Sequence, residues 1–360
     1  MISDGGPSRA RSRLLAVVIA VALIGVSFAV RALVIDGDDD ASGGGGRDGA
    51  SLRVACIDEL ADVCAQLGGV VTVEGAGDTA NRLIGARSAA DAAVDAWITV
   101  APWAQIVRDR RVTAGDETLL DADIGPVARS PLVLVARRDR ADVLADVCGG
   151  EVTWTCVGDR AGTEWSDFGG DALWGRVRPA HADPETSADG LLALGQAVGA
   201  FVATPEIAAD AVSRGDWENK EEFAGWFQRL ERSIPADAFA PGRDPFARWL
   251  QTRGTAFDVV ATTEANALPA LAAAATDVRE ASTVLYPAAV ATADIVLVPV
   301  AGGRDPSSIE DELRDALAAA GYRVDGEAPP AGAPALPDTD GLPSAGALDA
   351  LRGLWAGVMR

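Results

Sequence analysis

The side chains best placed for chemistry lie in five short loops, each joining an apolar or β-branched run to a helical stretch. The loops are Cys56-Ile57-Asp58, Gly75-Ala76-Gly77-Asp78-Thr79, Thr99–Trp103, Asp183–Ser187 and Thr262-Thr263-Glu264. Each ends at a helix N-terminus, where free N–H groups and the positive end of the helix dipole can hold a small polar group. In an open α/β sheet such loops line the ligand crevice. Catalysis has less to draw on. His181 is the single histidine, so a Ser-His-Asp triad would have to use it, and a His-rich zinc site cannot be built. Carboxylates are so numerous that no pair stands out for a hydrolase. The reading is therefore a binding protein and not an enzyme, with no cofactor and no metal.

The run Gly75-Ala76-Gly77-Asp78-Thr79-Ala80 also fits the strand-G-x-G-x-x-A-helix dinucleotide fingerprint. It sits in the second β–α unit, and no complete nucleotide-binding half follows it. A glycine-rich turn into a helix fits the same residues. Gly44–Gly49 matches G-x-G-x-x-G formally, but no strand precedes it, and it reads as linker.

The elements that must position these loops alternate along the chain. Strands are expected at Ser51–Ile57, Val70–Val73, Ala93–Val100, Ser130–Arg137, Phe257–Ala261, Thr283–Tyr286 and Ile295–Val300. Helices are expected from Asp58 to Leu67, from an Asp78-Thr79 cap to about Ala90, and from Ala188 to about Val202. Others are expected over Leu268–Ala275, Ile309–Ala320 and, as a last amphipathic piece, Ala347–Met359. Strands alternating with helices argue for a parallel sheet covered on both faces. Trp154, Trp165 and Trp174 mark a turn-rich stretch, and Trp217, Trp226 and Trp249 read as core residues on largely polar helices.

With 49% hydrophobic and 23% charged residues in 360, the chain can bury a sizeable core. Its formal net charge of −22 repels phosphate backbones, so nucleic acid is not an expected partner. Arg9, Arg11 and Arg13 precede an apolar run over 14–35. That run is about 22 residues, roughly 33 Å of helix, which suffices to cross a bilayer core. The positive-inside rule puts residues 1–13 in the cytoplasm and the acidic segment after Ile35 outside, giving a single-pass membrane protein with its bulk extracytoplasmic. A cleaved signal peptide is the other reading of the same run. Residues 36–50 form a flexible spacer and 327–346 a Pro/Ala-rich linker before the final 347–360 helix. Four cysteines fit an oxidising compartment. Cys56 with Cys64 and Cys148 with Cys156 suggest two short-range disulfides, although four cysteines allow three pairings.

In order, the pieces V-T-V-E-G-A-G-D, D-A-W-I-T-V, R-S-P-L-V-L-V-A, D-P-E-T-S-A-D-G-L, F-D-V-V-A-T-T-E and L-Y-P, closed by A-A-G-Y-R, resemble the type II periplasmic solute-binding proteins. The likeness is to the molybdate/sulfate type and its membrane-tethered relatives, and it covers about residues 51–325. It implies a bilobed α/β domain over 51–326. One lobe takes about 51–130 and 290–326, and the other about 131–289. The resemblance further implies a hinge near Arg129–Pro131, a second crossing near 288–293, and a membrane permease or signalling partner that reads the closed state. Carried over, it makes Asp58, Asp78, Thr79, Ser187 and Thr263 crevice candidates; Thr99, Trp103, Ser130, Thr186 and Glu264 join them from the same loops and crossing. Oxyanion binders of this kind place small hydroxyl residues after the first strand, where this chain has Ile57 and Asp58. Asp58, Asp78 and Glu264 would repel an oxyanion if they faced it. A polar or cationic solute, stacked on Trp103, is as consistent with the residues. An alternative function on the same fold is a surface interaction module that no longer takes a small ligand.

Overall fold

The computed structural model describes residues 51–121, 125–202, 220–240, 242–288, 290–325, 329–330, 332–336 and 342–359. The expected membrane segment 14–35, its flanks, Trp217 and parts of the 327–346 linker lie outside these residues. Among the described residues no helix is long and apolar enough to cross a membrane.

The first lobe opens with β1 (Arg53–Ile57), a 3-10 turn (Asp58–Leu60) and the short α1 (Ala61–Cys64). It continues through β2 (Val70–Glu74), α2 (Ala76–Gly85), α3 (Ala89–Ala92), β3 (Ala96–Val100) and α4 (Ala101–Ala114). β1 lies between β2 and β3 and is parallel to both. Cys56 at the end of β1 is bonded to Cys64 at the end of α1, and Cys148 to Cys156, the two short-range pairs. The expected helix from Asp58 to Leu67 is shortened to a 3-10 turn and one α turn that ends at Cys64. The Asp78-Thr79 cap is also corrected. α2 starts earlier, at Ala76, with Gly75 in the N-cap position and no side-chain cap, and the helix breaks after Gly85. Ser88 caps the separate α3 by accepting from the Asp91 N–H at 3.2 Å.

β4 (Ala128–Arg137) is the strand that joins the lobes. Ala128–Pro131 pair with Ile295–Thr292 of β8 (Thr292–Pro299), which itself runs antiparallel to β3. From Leu132 onward β4 changes partners, pairing with β6 (Val259–Thr263) on one side and β7 (Ser282–Leu285) on the other. β5 (Pro179–Ala180) lies parallel to β6. The switch between Pro131 and Leu132 falls at the expected hinge. The expectation of a parallel sheet is corrected: β8 is antiparallel to β3 and to β4, and β4 is antiparallel to β6 and β7 as well. β4 reads as an unbroken apolar run because both its faces are covered. Leu132, Leu134 and Ala136 enter the large core, while Val133 and Val135 enter a second one with Phe246, Trp249 and Phe257.

The second lobe carries α5 (Arg138–Val147), α6 (Trp154–Arg160), α7 (Ala188–Val202), α8 (Lys220–Ser233) and α9 (Pro245–Gln251). After β6 come α10 (Glu264–Ala273) and α11 (Thr276–Ala281). Trp226 and Trp249 are buried, as their core reading requires, and Trp154 and Trp165 of the turn-rich stretch are buried too. After β8 the chain forms α12 (Glu310–Ala319) and, beyond the linker, α13 (Ala345–Met359). α13 is no loose tail. It packs on α4 of the first lobe and on α7 and α8 of the second. Asp349 pairs with Arg110 at 2.7 Å, and the Trp355 indole donates to Glu231 at 2.8 Å. Glu231 is also 3.1 Å from His181 Nε2, so the single histidine sits in a buried structural network.

Candidate ligand cleft

Where β1 ends, Asp58 and Glu59 follow at once, and the turn they form faces the start of α7 across the two lobes. A cavity of about 450 Å³ opens there. Its walls come from the β1 end, the 182–189 loop and first turn of α7, residues 238–240 and 242–244, and Thr263, Asn266 and Tyr322. Five of the lining side chains are carboxylates (Asp58, Glu59, Asp183, Asp189 and Asp244) against one guanidinium, Arg243. Phe239 supplies an aromatic face beside them.

The carboxylates crowd one another. Burial pushes the Asp189 carboxyl well above the usual range, and Glu59 and Asp244 push it further. Burial likewise raises Asp58, with a contribution from Asp78, and raises Asp183, with one from Glu185. Burial holds the Tyr322 phenol far above its ordinary value, aided by Asp189 and Glu59, so it stays neutral. These shifts share one cause: negative charge in a site with little water and few cations. A positive ligand would relieve it.

The loops touch as well as face each other. Glu59 Oε1 accepts from the Ser187 hydroxyl at 2.6 Å, from the Ala188 N–H at 2.8 Å and from the Asp189 N–H at 3.3 Å. Ser187 in turn accepts from the Gly190 N–H at 3.0 Å, an N-cap bond for α7. Nearby, Gly77 donates its N–H to the Thr186 carbonyl at 3.1 Å. A Cβ at Gly77 would lie 2.9 Å from the Glu185 carbonyl carbon and overlap its oxygen. That close approach explains the glycine-rich turn. The backbone at 185–186 fills the space before α2, where a dinucleotide pyrophosphate would have to sit.

Of the expected site residues, Asp58, Thr186, Ser187 and Thr263 line the cavity, while Asp78 is exposed on the first turn of α2. The others are interior structural groups. Thr79 is buried and donates to Glu74 at 2.7 Å, and Thr99 is buried in β3. Ser130 is buried and accepts from the Ala265 N–H at 3.0 Å. Trp103 is only 1% exposed, with the Arg352 guanidinium 5.0 Å above its ring, so no solute stacks on it. Glu264 does not face the cleft; it is buried against Arg323 at 2.6 Å and accepts from the Tyr286 hydroxyl at 2.7 Å. Sequence reasoning missed Glu59, Asp189, Asp244, Phe239 and Tyr322. Glu59 and Asp189 each lie within two residues of a loop singled out, whereas Asp244, Phe239 and Tyr322 lie outside those loops.

No family model matches the chain, and no curated protein matches it. Among solved structures, a periplasmic thiamin binding protein aligns at 14% identity and a TM-score of 0.51, over 89% of this chain and 98% of that one. FutA2 from Synechocystis PCC6803 aligns at 14% identity and 0.49, over 87% and 98%. The sulfate-binding protein SubI from Mycobacterium tuberculosis H37Rv aligns at 14% and 0.45, over 77% and 88%. The first of these, together with the crossing strands β4 and β8, shows the architecture: the chain has a two-lobed α/β fold of the periplasmic-binding-protein kind.

Proposed function

We propose that this is an extracytoplasmic solute-binding protein, held to the membrane by residues 14–35, that captures a small cationic or strongly polar solute between its lobes. The observation that carries the reading is the interlobe cavity with five carboxylates on its wall. A unit charge 4 Å from another gains about 4 kcal/mol at the effective dielectric of a partly buried site, so several carboxylates can offset the cost of dehydrating a cation. Phe239 adds a face for a cation–π or stacking contact. Oxyanions meet the same field with the opposite sign. Asp58, Thr186, Ser187 and Thr263 keep their assignment as ligand contacts, joined by Asp189, Asp244 and Tyr322. No catalytic step is assigned. The closed form would be read by a membrane permease of the ABC type or by a signalling partner, and β4 and β8 would flex to admit the solute.

The test is a thermal-shift panel on the full chain in detergent, with thiamin, polyamines, basic amino acids, sugars and sulfate as probes. A ligand at 100 times its Kd stabilises the folded state by about 2.7 kcal/mol. The reading expects a shift from at least one cationic probe and none from sulfate; a shift from sulfate alone refutes it. A second reading, an interaction module on the same fold, draws on the direct contact of the lobes through Glu59 and Gly77. It expects no shift from any small solute.

A further inference from the structure

We infer that Glu59 is an intramolecular anion that occupies the N-terminus of α7, latches the two lobes together without any solute, and sets the specificity of the cleft against oxyanions. The inference rests on the two-lobed solute-binding reading for its meaning but on separate observations for its support. A helix N-terminus leaves its first N–H groups without intrahelical partners. In α7 each of these donors is accounted for. Ala188 and Asp189 donate to Glu59 Oε1, and Gly190 donates to Ser187, whose own hydroxyl donates to the same Oε1. Three donors converging on one carboxylate oxygen, at the positive end of a 15-residue helix, are what a bound sulfate or carboxylate ligand would receive. Here the anion comes from a residue 128 positions away, in the other lobe. Its second oxygen, Oε2, is buried and has no hydrogen-bond partner among the described residues, and Glu59 is one of the residues that line the cavity. One side chain therefore does two things. It fills the place an oxyanion would take, and it adds negative charge beside Asp189 and Asp58 where a cation would sit.

The contact also ties the lobes. Glu59 follows β1 in the first lobe and α7 belongs to the second, so opening the cleft must break these bonds and leave the Ala188 and Asp189 N–H groups without their acceptor. The neighbouring Gly77 to Thr186 bond closes the same seam. A solute that binds Asp189 and Asp244 would compete with nothing at Glu59 and would find the lobes already close to their closed arrangement.

The test is hydrogen exchange, read by mass spectrometry on the peptide spanning 183–191 of the full chain in detergent, with no solute added. In the wild type the Ala188 and Asp189 amides should be protected, and sulfate or formate should change nothing. In E59A the peptide should exchange faster by about tenfold, as local opening does when its closing contacts are lost. Sulfate or formate should restore protection in E59A by occupying the vacated position, whereas chloride at equal ionic strength should not. E59Q, which keeps an oxygen acceptor without the charge, should exchange faster than wild type but more slowly than E59A, and carries the comparison if E59A does not fold. Rapid exchange in the solute-free wild type overturns the latch. So does protection in either variant equal to wild type, or a folded E59A that sulfate and formate leave unprotected. If no cationic probe binds the wild type, the solute reading fails while the latch can still stand. If the latch fails, cation binding at Asp189 and Asp244 is untouched.

Discussion

Gly77→Ala puts a methyl group into the tightest seam between the lobes. The new Cβ would lie 2.9 Å from the Glu185 carbonyl carbon and 3.1 Å from Thr186 Cα, closer still to the Glu185 oxygen. Unstrained carbon–carbon contacts lie at about 3.5–4.0 Å, so the 185–186 backbone would have to withdraw by at least about 0.6–1.1 Å, and further to clear the Glu185 oxygen. Every atom met is backbone, so no rotamer change can absorb the overlap. Withdrawal also lengthens the 3.1 Å bond from Gly77 N–H to the Thr186 carbonyl. Overpacking of this kind costs about 1–3 kcal/mol, which in a domain of this size lowers Tm by about 2–4 °C per kcal/mol. The control is Gly85→Ala at the end of the same helix, where an added Cβ meets nothing within 4 Å. That variant should be neutral or stabilising by up to about 1 kcal/mol, since alanine is the better helix former. Tryptophan fluorescence melts of the full-chain variants read both. A G77A protein that melts with the wild type, or with G85A, refutes the claim that the lobes meet at this glycine.

Trp355→Phe keeps the ring packing of α13 but removes the 2.8 Å donor to Glu231, leaving a buried carboxylate one partner short. A loss of about 1–3 kcal/mol is expected, measured by denaturant midpoint. His181 is wholly buried; burial acts to lower its pKa, but the adjacent Glu231 outweighs it and the net direction is upward. Stability from this pair is therefore fully present below the unfolded histidine value of about 6.5 and is lost as pH rises through the higher folded value. Melts of the wild type should fall with pH above that point, and a H181N chain should show a flatter profile; an identical profile refutes the coupling. Arg323→Met strands the buried Glu264, which the guanidinium now bonds at 2.6 and 2.8 Å. It should cost about 3–5 kcal/mol, and adding Glu264→Gln should recover part of that by removing the unpaired charge. Reducing both eight-residue disulfide loops should lower stability by about 2–3 kcal/mol for each, read as a Tm drop with and without reductant.

Much of the frame was legible in the residues. The apolar runs at Ser130–Arg137 and Ile295–Val300 were read as strands, and β4 and β8 lie there. The Ala188–Val202 helix was found at its observed bounds. The partner change at Pro131 falls at the hinge named from the resemblance. The paired cysteines closed as their spacing suggested. These features are local: a strand, a helix or an eight-residue loop is decided by side chains a few positions apart. The five loops at strand ends were equally legible, because an apolar run followed by a helical stretch marks such a loop wherever it occurs.

Which side chain in each loop reaches the cleft was decided only by the tertiary structure. Asp58 and Glu59 are adjacent carboxylates, and nothing local says that Glu59 turns onto α7 while Asp58 stays at the rim; that follows from docking two lobes whose contacting residues are 128 apart. Glu264 looked free to face a ligand and is instead neutralised by Arg323, 59 positions away. Trp103 looked available for stacking until α13, more than 200 residues later in the sequence, laid Arg352 across it. Burial and ion pairing depend on which distant surfaces meet, and the energies involved, a few kcal/mol per buried charge, are set by those surroundings and not by residue type. Sequence spacing determined the elements and the loops between them; the approach of the lobes determined which charges are bound, which are balanced and which remain to hold a ligand.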